Sequence, residues 1–296
     1  MTNDLTEPVL EEAIEASSDL IISYHPPLFR PFKRLTSKSW KERIAVKCVE
    51  NRIALYSPHT SWDAVPGGIN TWLLDPYGPG QSSPVSLSTS KGYPGNVSHT
   101  ISIQGVPVST DQLSPLLSMS DISVSLDETA LNIGCSQSNL SSVLSSLPDS
   151  LQSHVRITQH CHPPIEDTGA GRLLRLDTPL TLEDAVQRTK QHLGMNHLRL
   201  AMAHCHNMTS KVASIGVCAG SGGSVLAGVN VDLIITGEMS HHECLDFVSG
   251  GVSVILADHS NTERGYLPVV KQKLENLLDG VNIIVSTVDK DPLQIV

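Results

Sequence analysis

The stretch KVASIGVCAGSGGSVLAGVNVDLIITGEMSHHECLDFVSGGVSVILADHSNTE, residues 211–263, decides the fold. It contains three short apolar runs, Val212–Cys218, Leu233–Ile235 and Val252–Leu256, and each is followed by a polar segment rich in glycine or histidine. Short apolar runs bounded in this way predict buried strands. Strands that alternate with helical segments are typical of an α/β fold whose strands are largely parallel.

The same alternation opens the chain. Thr6 is a candidate N-cap of a first helix, and the apolar run Leu20–Ile22 follows that helix. A second helix is predicted over residues 38–51, and another apolar run, Ile53–Tyr56, comes after it. We therefore expect an α/β protein with two α/β halves of mostly parallel strands and helices and a small insert between them.

The remaining helices of the second half are also visible in the sequence. Thr181 is a candidate cap of a helix over Leu182–Leu193, with two acidic residues in its first turn. Another helix is predicted to run to about Leu278, and Ile283–Val285 is the last predicted strand.

The middle of the chain differs in character. Residues 76–95 are rich in glycine, proline and serine and are predicted to be a loop or linker. Weak alternation over 97–108 and 122–126 predicts half-buried antiparallel strands, and the spacing of leucine and valine over 139–147 predicts an amphipathic helix. The predicted division is a first half over 1–126, an insert over 127–168 and a second half over 169–296.

Composition excludes several classes of protein. The chain has 296 residues, 20 Lys and Arg, 30 Asp and Glu, and a net charge of −10. This charge argues against direct binding of nucleic acid or anionic membrane by the whole molecule, although it is compatible with a local basic patch. Aromatic residues make up only 4%, which also argues against a base-stacking surface. No apolar run approaches the roughly 20 residues of a membrane helix, and six scattered cysteines without a CxxC pair indicate a reduced, intracellular protein.

Three histidines, His25, His59 and His259, stand just after apolar strands. Ligands of α/β sheets bind outside the carboxyl ends of strands, so these side chains can converge from distant parts of the chain. Asp63 and Glu263 follow two of them at a spacing of four residues, which places each pair on one face of a helical turn. A single pair of this kind is more often a polar loop end. Three imidazoles and two carboxylates suit zinc, iron or manganese, and suffice for two ions if one carboxylate bridges.

The segment AGSGGS follows the strand that ends at Cys218. Its glycines, Gly220, Gly222 and Gly223, can cradle a phosphate with backbone N–H groups at a helix start. The alternative is a tight turn between strand and helix. The segment is neither a Walker motif nor a dinucleotide fingerprint.

Five stretches of the sequence resemble, in order, the signature blocks of the NIF-three-like family, some of whose members are named GTP cyclohydrolase I type 2. They are DLIISYHPPLF (19–29), HTSWDAVPGGINTWL (59–73), GVCAGSGGS (216–224), DLIITGEMSHHECLDF (232–247) and DHSNTERGYL (258–267). The resemblance implies a central metal cleft with two divalent ions, bound by His25, His59, Asp63, His259 and Glu263, with Asp63 bridging. It also implies self-association into dimers or hexamers.

The resemblance also implies roles for Glu238 and His242, which lie in one of these blocks, as acid/base groups or as groups that support the metal ligands. Two departures from the family pattern matter. Tyr24 stands where many bacterial members have a histidine, so one metal position is expected to be weaker or empty. Family members have several tens of residues before the first helix found here, so the first half is expected to have a gap or an exposed strand edge.

Two classes of function remain. The first is metal-dependent, hydrolase-type chemistry on a phosphate-bearing or nucleotide-like small molecule. The second, which the resemblance implies through animal members of the family, is a corepressor-type interaction protein of cytoplasm and nucleus that acts through transcription-regulatory proteins, with a structural metal site. The acidic charge suits a protein partner better than DNA, and no membrane association is expected.

Overall fold

The computed structural model describes residues 1–90, 92, 95–107, 109–126 and 130–295. The chain forms two compact units: Met1–Ser88 with Glu166–Val296, which we call the large unit, and Thr89–Ile165, which we call the small unit. The division predicted from the sequence, with boundaries at 127 and 168, stays a prediction, and residues 127–129 lie outside the described residues.

The helices and strands of the described residues alternate through both units. The helices are α1 (Glu7–Glu15), α2 (Trp40–Glu50), α3 (Thr60–Ala64), α4 (Ile69–Leu74), α5 (Thr110–Leu117), α6 (Leu140–Ser145), α7 (Asp149–Gln152), α8 (Leu182–Leu193), α9 (Gly223–Leu226), α10 (His241–Ser249) and α11 (Leu267–Glu275). The strands are β1 (Leu20–Ile22), β2 (Ala54–Tyr56), β3 (Gly80–Thr89), β4 (His99–Gln104), β5 (Ile122–Leu126), β6 (Ala130–Cys135), β7 (Val155–Gln159), β8 (Pro164–Thr181), β9 (Arg199–Ala201), β10 (Lys211–Ser221), β11 (Leu233–Glu238) and β12 (Ser253–Leu256). None of these helices is long and apolar enough to cross a bilayer.

A six-stranded sheet in the order β3-β8-β10-β11-β12-β9 forms the centre of the large unit. The three strands predicted within residues 211–263 are β10, β11 and β12, and they are parallel neighbours. Ile215 lies opposite Leu233, and Ile235 lies opposite Ile255. Strands β8 and β9 join this group in antiparallel orientation. Both faces of the sheet are buried, so the predicted α/β class is confirmed.

The start of the large unit forms a second, smaller sheet. Strands β1 and β2 pair in parallel, and α1 and α2 cover them through a core that includes Leu10, Ile21 and Ile44. Thr2 adds one parallel bridge to Ser23, directly after β1.

The small unit is an antiparallel sheet in the order β5-β6-β4-β7. Its chain order, β4-α5-β5-β6-α6-β7 with α7 after α6, is the ferredoxin-like β-α-β-β-α-β arrangement. The core of this unit includes Ile101, Ile103, Leu131 and Ile133, each at most 1% exposed. Antiparallel strands are found in both predicted regions, but β4 covers only 99–104 of the predicted 97–108, and Val108 lies outside the described residues. The helix predicted over 139–147 is confirmed as α6, over 140–145.

Three local predictions are wrong. Residues 80–89 of the predicted loop form β3, because pairing with β8 decides the structure and an edge strand tolerates Pro84. Residues 283–285 are not a strand, although Met1 N donates to Ile284 O at 2.6 Å beside them. Helix α11 ends at Glu275, before the predicted end, and leaves Leu277 77% exposed.

Candidate metal centre

His25 is held by the first residues of the chain. It follows β1 in an extended segment whose backbone bonds to residues 2 and 3: Tyr24 N donates to Thr2 O and His25 N donates to Asn3 O, each at 3.0 Å. Nδ1 of His25 lies 2.8 Å from Oδ1 of Asp4. The imidazole is thereby oriented with Nε2 toward the interior.

His259 has a matching environment at the other end of the chain. It follows β12, and its Nδ1 lies 2.7 Å from Oε1 of Glu238, the last residue of β11. A 3-10 turn over Ser260–Thr262 brings Glu263 back toward the same ring. Oε1 of Glu263 is 3.3 Å from Nε2 of His259, so the predicted spacing of four residues does bring this pair together.

Glu263 joins the two histidines. Its side chain is buried, and Oε2 lies 3.4 Å from Nε2 of His25 and accepts a hydrogen bond from Asn3 Nδ2 at 3.1 Å. One ligand atom from each of His25, His259 and Glu263 lies within 4.8 Å of the others. Among the described residues, this triad is the group placed to hold a metal ion.

Protonation in the triad follows from these contacts. Burial lowers the pKa of His25, but contacts with Asp4 and Glu263 outweigh it and raise the pKa to about 10. Contact with Glu263, partly offset by burial, raises the pKa of His259 to about 9. Burial would raise the pKa of Glu263, yet the two histidines lower it overall. At neutral pH these shifts favour a carboxylate between two imidazolium groups when no ion is bound.

The other two predicted ligands, His59 and Asp63, line a cavity of about 400 Å³ together with His259 and Glu263. His59 occupies the N-cap position of the short helix α3 without a side-chain capping bond, and its ring centre is 5.7 Å from that of His25. The backbone of His59 has φ of 45° and ψ of −130°, a conformation that glycine adopts more readily than other residues.

Tyr24 contacts Asp63 directly. The phenol is buried and donates a hydrogen bond to Oδ1 of Asp63 at 2.7 Å. Burial raises the pKa of Asp63 to about 6, even though the bond from Tyr24 and the charge of His25 lower it. Burial and the neighbouring carboxylates also raise the pKa of Tyr24, so the phenol stays protonated and keeps donating.

Strand β10 continues further than the sequence predicts and includes Gly220. This residue has φ of 65°, and a Cβ there would lie 2.7 Å from Oε1 of Glu263 and 2.8 Å from Nε2 of His259. Its N–H donates to Oγ1 of Thr262, and that of Gly222 donates to Oγ1 of Thr236. These contacts place the backbone at 220 beside the triad.

His242 lies elsewhere. It is the second residue of α10, its side chain is exposed, and its ring contacts that of His241. Two residues that the sequence interpretation did not identify also support the site. One is Asp4. The other is the buried Asn70, which donates to Asp63 O and accepts from Ala219 N. Asn70 lies within the block 59–73, but no sequence spacing identifies the contacts of these two residues, because the contacts depend on the tertiary fold.

A larger cavity, of about 870 Å³, lies on the other side of the triad. His259 lines both cavities, and His25 lines this one. The larger cavity also contains Trp40 and three cationic side chains. These cations are Lys41, Arg199 and Lys290. Four carboxylates also line the cavity, from Asp4, Glu238, Asp258 and Asp291, and Asp258 pairs with Arg199.

Comparison with known proteins gives the family. A sequence profile of the Duf34/NIF3 (NGG1p interacting factor 3) family matches residues 1–292. The chain is 42% identical over 309 residues to NIF3-like protein 1 of Bos taurus, covering 100% of this chain and 82% of that protein. It is 29% identical over 301 residues to NGG1-interacting factor 3 of Saccharomyces cerevisiae, covering 100% of this chain and 80% of that protein.

A solved structure agrees with the sequence matches. The crystal structure of a Bacillus cereus protein related to NIF3 is similar with a TM-score of 0.63 and 21% identity, over 99% of this chain and 87% of that one. This similarity shows a shared fold. The profile match and the identity to the bovine protein show that this chain belongs to the Duf34/NIF3 family.

Proposed function

We propose that this chain is a metal-dependent, hydrolase-type enzyme that acts on a phosphate-bearing or nucleotide-like small molecule. The observation that carries the proposal is the support given to the two histidines. Asp4 and Glu238 each contact Nδ1 of one ring, so both Nε2 atoms face Glu263. Carboxylates that orient histidines in this way are typical of metal sites.

The donor set fits a divalent ion. Two imidazole nitrogens and a buried carboxylate suit zinc, iron or manganese. Because Gly220 has no Cβ, the space beside Glu263 and His259 stays open. A bound ion would supply Lewis-acid chemistry, lowering the pKa of a water molecule and polarising a phosphoryl oxygen.

For a second ion we propose a weaker position at His59 and Asp63, with Asp63 as the bridging ligand. The shared cavity with His259 and Glu263 supports this position. The bond from Tyr24 occupies one oxygen of Asp63, so an ion there competes with a phenol. We expect elemental analysis of protein never exposed to chelator to give one tightly held ion and a second that dialysis removes.

The larger cavity supports a phosphate-bearing substrate. Its volume lies within the range of about 300–1,000 Å³ that is common for small-molecule sites. Lys41 and Lys290 supply positive charge for phosphate groups, whereas Arg199 is paired with Asp258 of the same lining. Trp40 supplies a flat face for a base. His25 and His259 of the triad lie at the wall of this cavity, next to where a phosphoryl group would be held.

The proposal also assigns roles to the glycine segment and to the acid/base pair. For Gly220, Gly222 and Gly223 we propose substrate contact, which the position of Gly220 beside the triad supports. For Glu238, the contact with His259 favours a positioning role over proton transfer to substrate. An acid/base role for His242 requires α10 to approach the substrate.

The test is hydrolysis by metal-loaded protein. We expect zinc-, iron- or manganese-loaded protein to release phosphate from nucleotides or from p-nitrophenyl phosphate. Chelation or Glu263→Gln should abolish this activity. The exposed His197 provides a matched control, since His197→Ala should keep the metal and the rate. Metal-loaded protein that hydrolyses none of a panel of phosphate mono- and diesters would contradict the proposal.

The second candidate is a corepressor-type interaction protein with a structural metal site. The name of the yeast relative, NGG1-interacting factor 3, favours it. Such a protein would act in cytoplasm and nucleus through transcription-regulatory partners. Co-precipitation of these regulators from nuclear extract should then be the same for His259→Ala and the unaltered chain, although the variant loses metal.

We also propose self-association into dimers or hexamers, on the basis of the family. Light scattering at micromolar concentration tests it, and a stable monomer would contradict it.

A further inference from the structure

Residues 28–41, LFRPFKRLTSKSWK, form what we call the basic–aromatic segment. Residues 28–40 are all exposed except Thr36, which is partly buried, and they contain no helix or strand before Trp40. The segment has five Lys or Arg and no Asp or Glu, in a chain whose 30 acidic residues outnumber 20 basic ones. The segment is therefore positively charged, although the molecule as a whole is negatively charged.

The cations of the segment are available to a ligand. They are Arg30, Lys33, Arg34, Lys38 and Lys41. Within the described ranges none of them forms an ion pair, whereas Arg43 and Lys47, farther along α2, pair with Glu7 and Glu11. A phosphate group could therefore bind these cations without displacing a carboxylate.

Aromatic side chains alternate with the cations. Phe29, Phe32 and Trp40 are 72%, 40% and 42% exposed, and each is followed directly by Lys or Arg. Aromatic residues are scarce in this chain, at 4%, so three exposed rings within 14 residues are a concentration of them. Alternating flat apolar faces and positive charges match a polymer that alternates bases and phosphates.

The segment begins and ends beside the metal centre. The ring of Phe29 lies 6.4 Å from that of His59. Trp40 and Lys41 line the larger cavity together with His25 and His259. A chain bound along the segment would therefore reach both sides of the triad.

We propose that the basic–aromatic segment binds single-stranded nucleic acid, with bases stacked on its aromatic rings and phosphates on its cations. The net charge of the molecule argues against nucleic acid binding in general, and the segment is the local exception. A bilayer surface would need the apolar residues gathered on one face, but here they alternate with charges. An acidic peptide would match the charges and leave the rings without partners.

The base of the segment is fixed by α2, which makes selective substitution practicable. The Thr36 hydroxyl donates to Glu42, Glu42 N donates to Ser39 Oγ, and Arg43 Nη1 donates to Ser37 O. None of these bonds involves the exposed side chains at 29–34. Substitutions there should leave α2 and the core unchanged.

The experiment is fluorescence anisotropy with a fluorescein-labelled single-stranded oligonucleotide of about 15 nucleotides. Chelator is present throughout, so the result does not depend on the proposed hydrolase function. The triple variant Arg30→Glu, Lys33→Glu, Arg34→Glu should weaken binding at least about tenfold and flatten its dependence on salt, since each phosphate that is no longer neutralised removes roughly 0.7 from the slope. Phe29→Ala with Phe32→Ala should weaken binding at least about fivefold, because bases can no longer stack on these rings.

The control is a matched triple charge reversal on exposed cations elsewhere in the large unit: Arg52→Glu, Arg175→Glu and Lys211→Glu. We expect it to change binding less than twofold, with circular dichroism confirming that all variants fold. Three outcomes would overturn the proposal. They are no binding by the unaltered chain at low salt, equal weakening in the control triple, or binding to phosphatidylserine vesicles, but not to the oligonucleotide, that the segment variant loses.

Discussion

Asp4 and Glu238 decide which nitrogen of each histidine is free to bind an ion. The Asp4 carboxylate lies 2.8 Å from Nδ1 of His25, and the Glu238 carboxylate lies 2.7 Å from Nδ1 of His259. In each ring, Nε2 is therefore the nitrogen that faces Glu263. The two carboxylates come from opposite ends of the chain, one before β1 and one at the end of β11. The triad is therefore oriented by groups that the sequence does not place near each other.

We expect Asp4→Asn and Glu238→Gln each to weaken metal binding by about 10- to 100-fold, because the ring loses a partner that fixes its orientation and raises its basicity. Competition with a chromophoric chelator measures the affinity. The exposed Asp279 provides a control, since Asp279→Asn should leave the affinity unchanged. Unchanged affinity in both site variants would show that the carboxylates do not support the ligands.

The protonation of the two histidines predicts how metal binding depends on pH. Contacts with carboxylates raise the pKa of His25 to about 10 and that of His259 to about 9, above the ordinary 6.5. In the metal-free protein they contribute stability that is full below about pH 6.5 and is lost as pH rises through 9–10. An ion needs both rings neutral, so binding at pH 7 should release about two protons and weaken by up to about 100-fold per pH unit of acidification.

Calorimetry of zinc binding at pH 7, in buffers of different ionisation enthalpy, counts the released protons. A value near zero would contradict this account of the triad.

At the scale of elements, hydrophobic periodicity and helix caps predicted those helices and strands that the local sequence determines. The parallel strands β10, β11 and β12 and the helix α8 lie where the sequence places them. Strand β3 was not predicted, because its glycine, proline and serine composition is that of a loop and only its pairing with β8 makes it a strand. A local sequence pattern does not indicate which distant strand a segment pairs with.

At the candidate metal centre, too, the local contacts were predicted and the long-range contacts were not. The spacing of four residues identified His259 and Glu263, which do meet, since a turn fixes that contact locally. Asp4 and Asn70 were missed, because each contacts residues far away in the chain. The hydrogen bond between Tyr24 and Asp63 was likewise not predictable from the spacing of residues in the sequence.

The cap of α8 gives a prediction for stability. The Thr181 side chain accepts from Asp184 N at 3.0 Å, and the Asp184 carboxylate completes the capping box. Thr181→Ala should lower the free energy of unfolding by about 1 kcal/mol, measured by urea denaturation. Gln187→Ala, on the exposed face of the same helix, should change it by less than about 0.5 kcal/mol. Equal changes in the free energy of unfolding for the two variants would mean that the capping box does not stabilise α8.

At the scale of the whole molecule, the small unit has the properties of an independent domain. Its core residues, Ile101, Leu131 and Val143 among them, come entirely from within Thr89–Ile165. The two ends of the unit meet, since Ser90 N donates to Pro163 O at 2.9 Å. A segment whose ends are close and whose core is its own can fold alone.

We therefore expect a fragment of residues 89–165 to fold in isolation, with dispersed amide signals in NMR and a cooperative urea transition. As a control, a variant carrying Ile133→Asp in this fragment should lose both, because it places a charge in the core. A fragment without cooperative unfolding would show that the unit depends on the rest of the chain.

The backbone at His59 implies a conflict between stability and ligand chemistry. With φ of 45° and ψ of −130°, this residue occupies a conformation that costs a side-chain-bearing residue about 1–3 kcal/mol. His59→Gly should therefore raise the free energy of unfolding by about 1 kcal/mol, whereas His59→Ala, which keeps a Cβ, should not. Selection for stability alone would favour glycine here, so a histidine at this position is what the proposed ligand role of its imidazole would require.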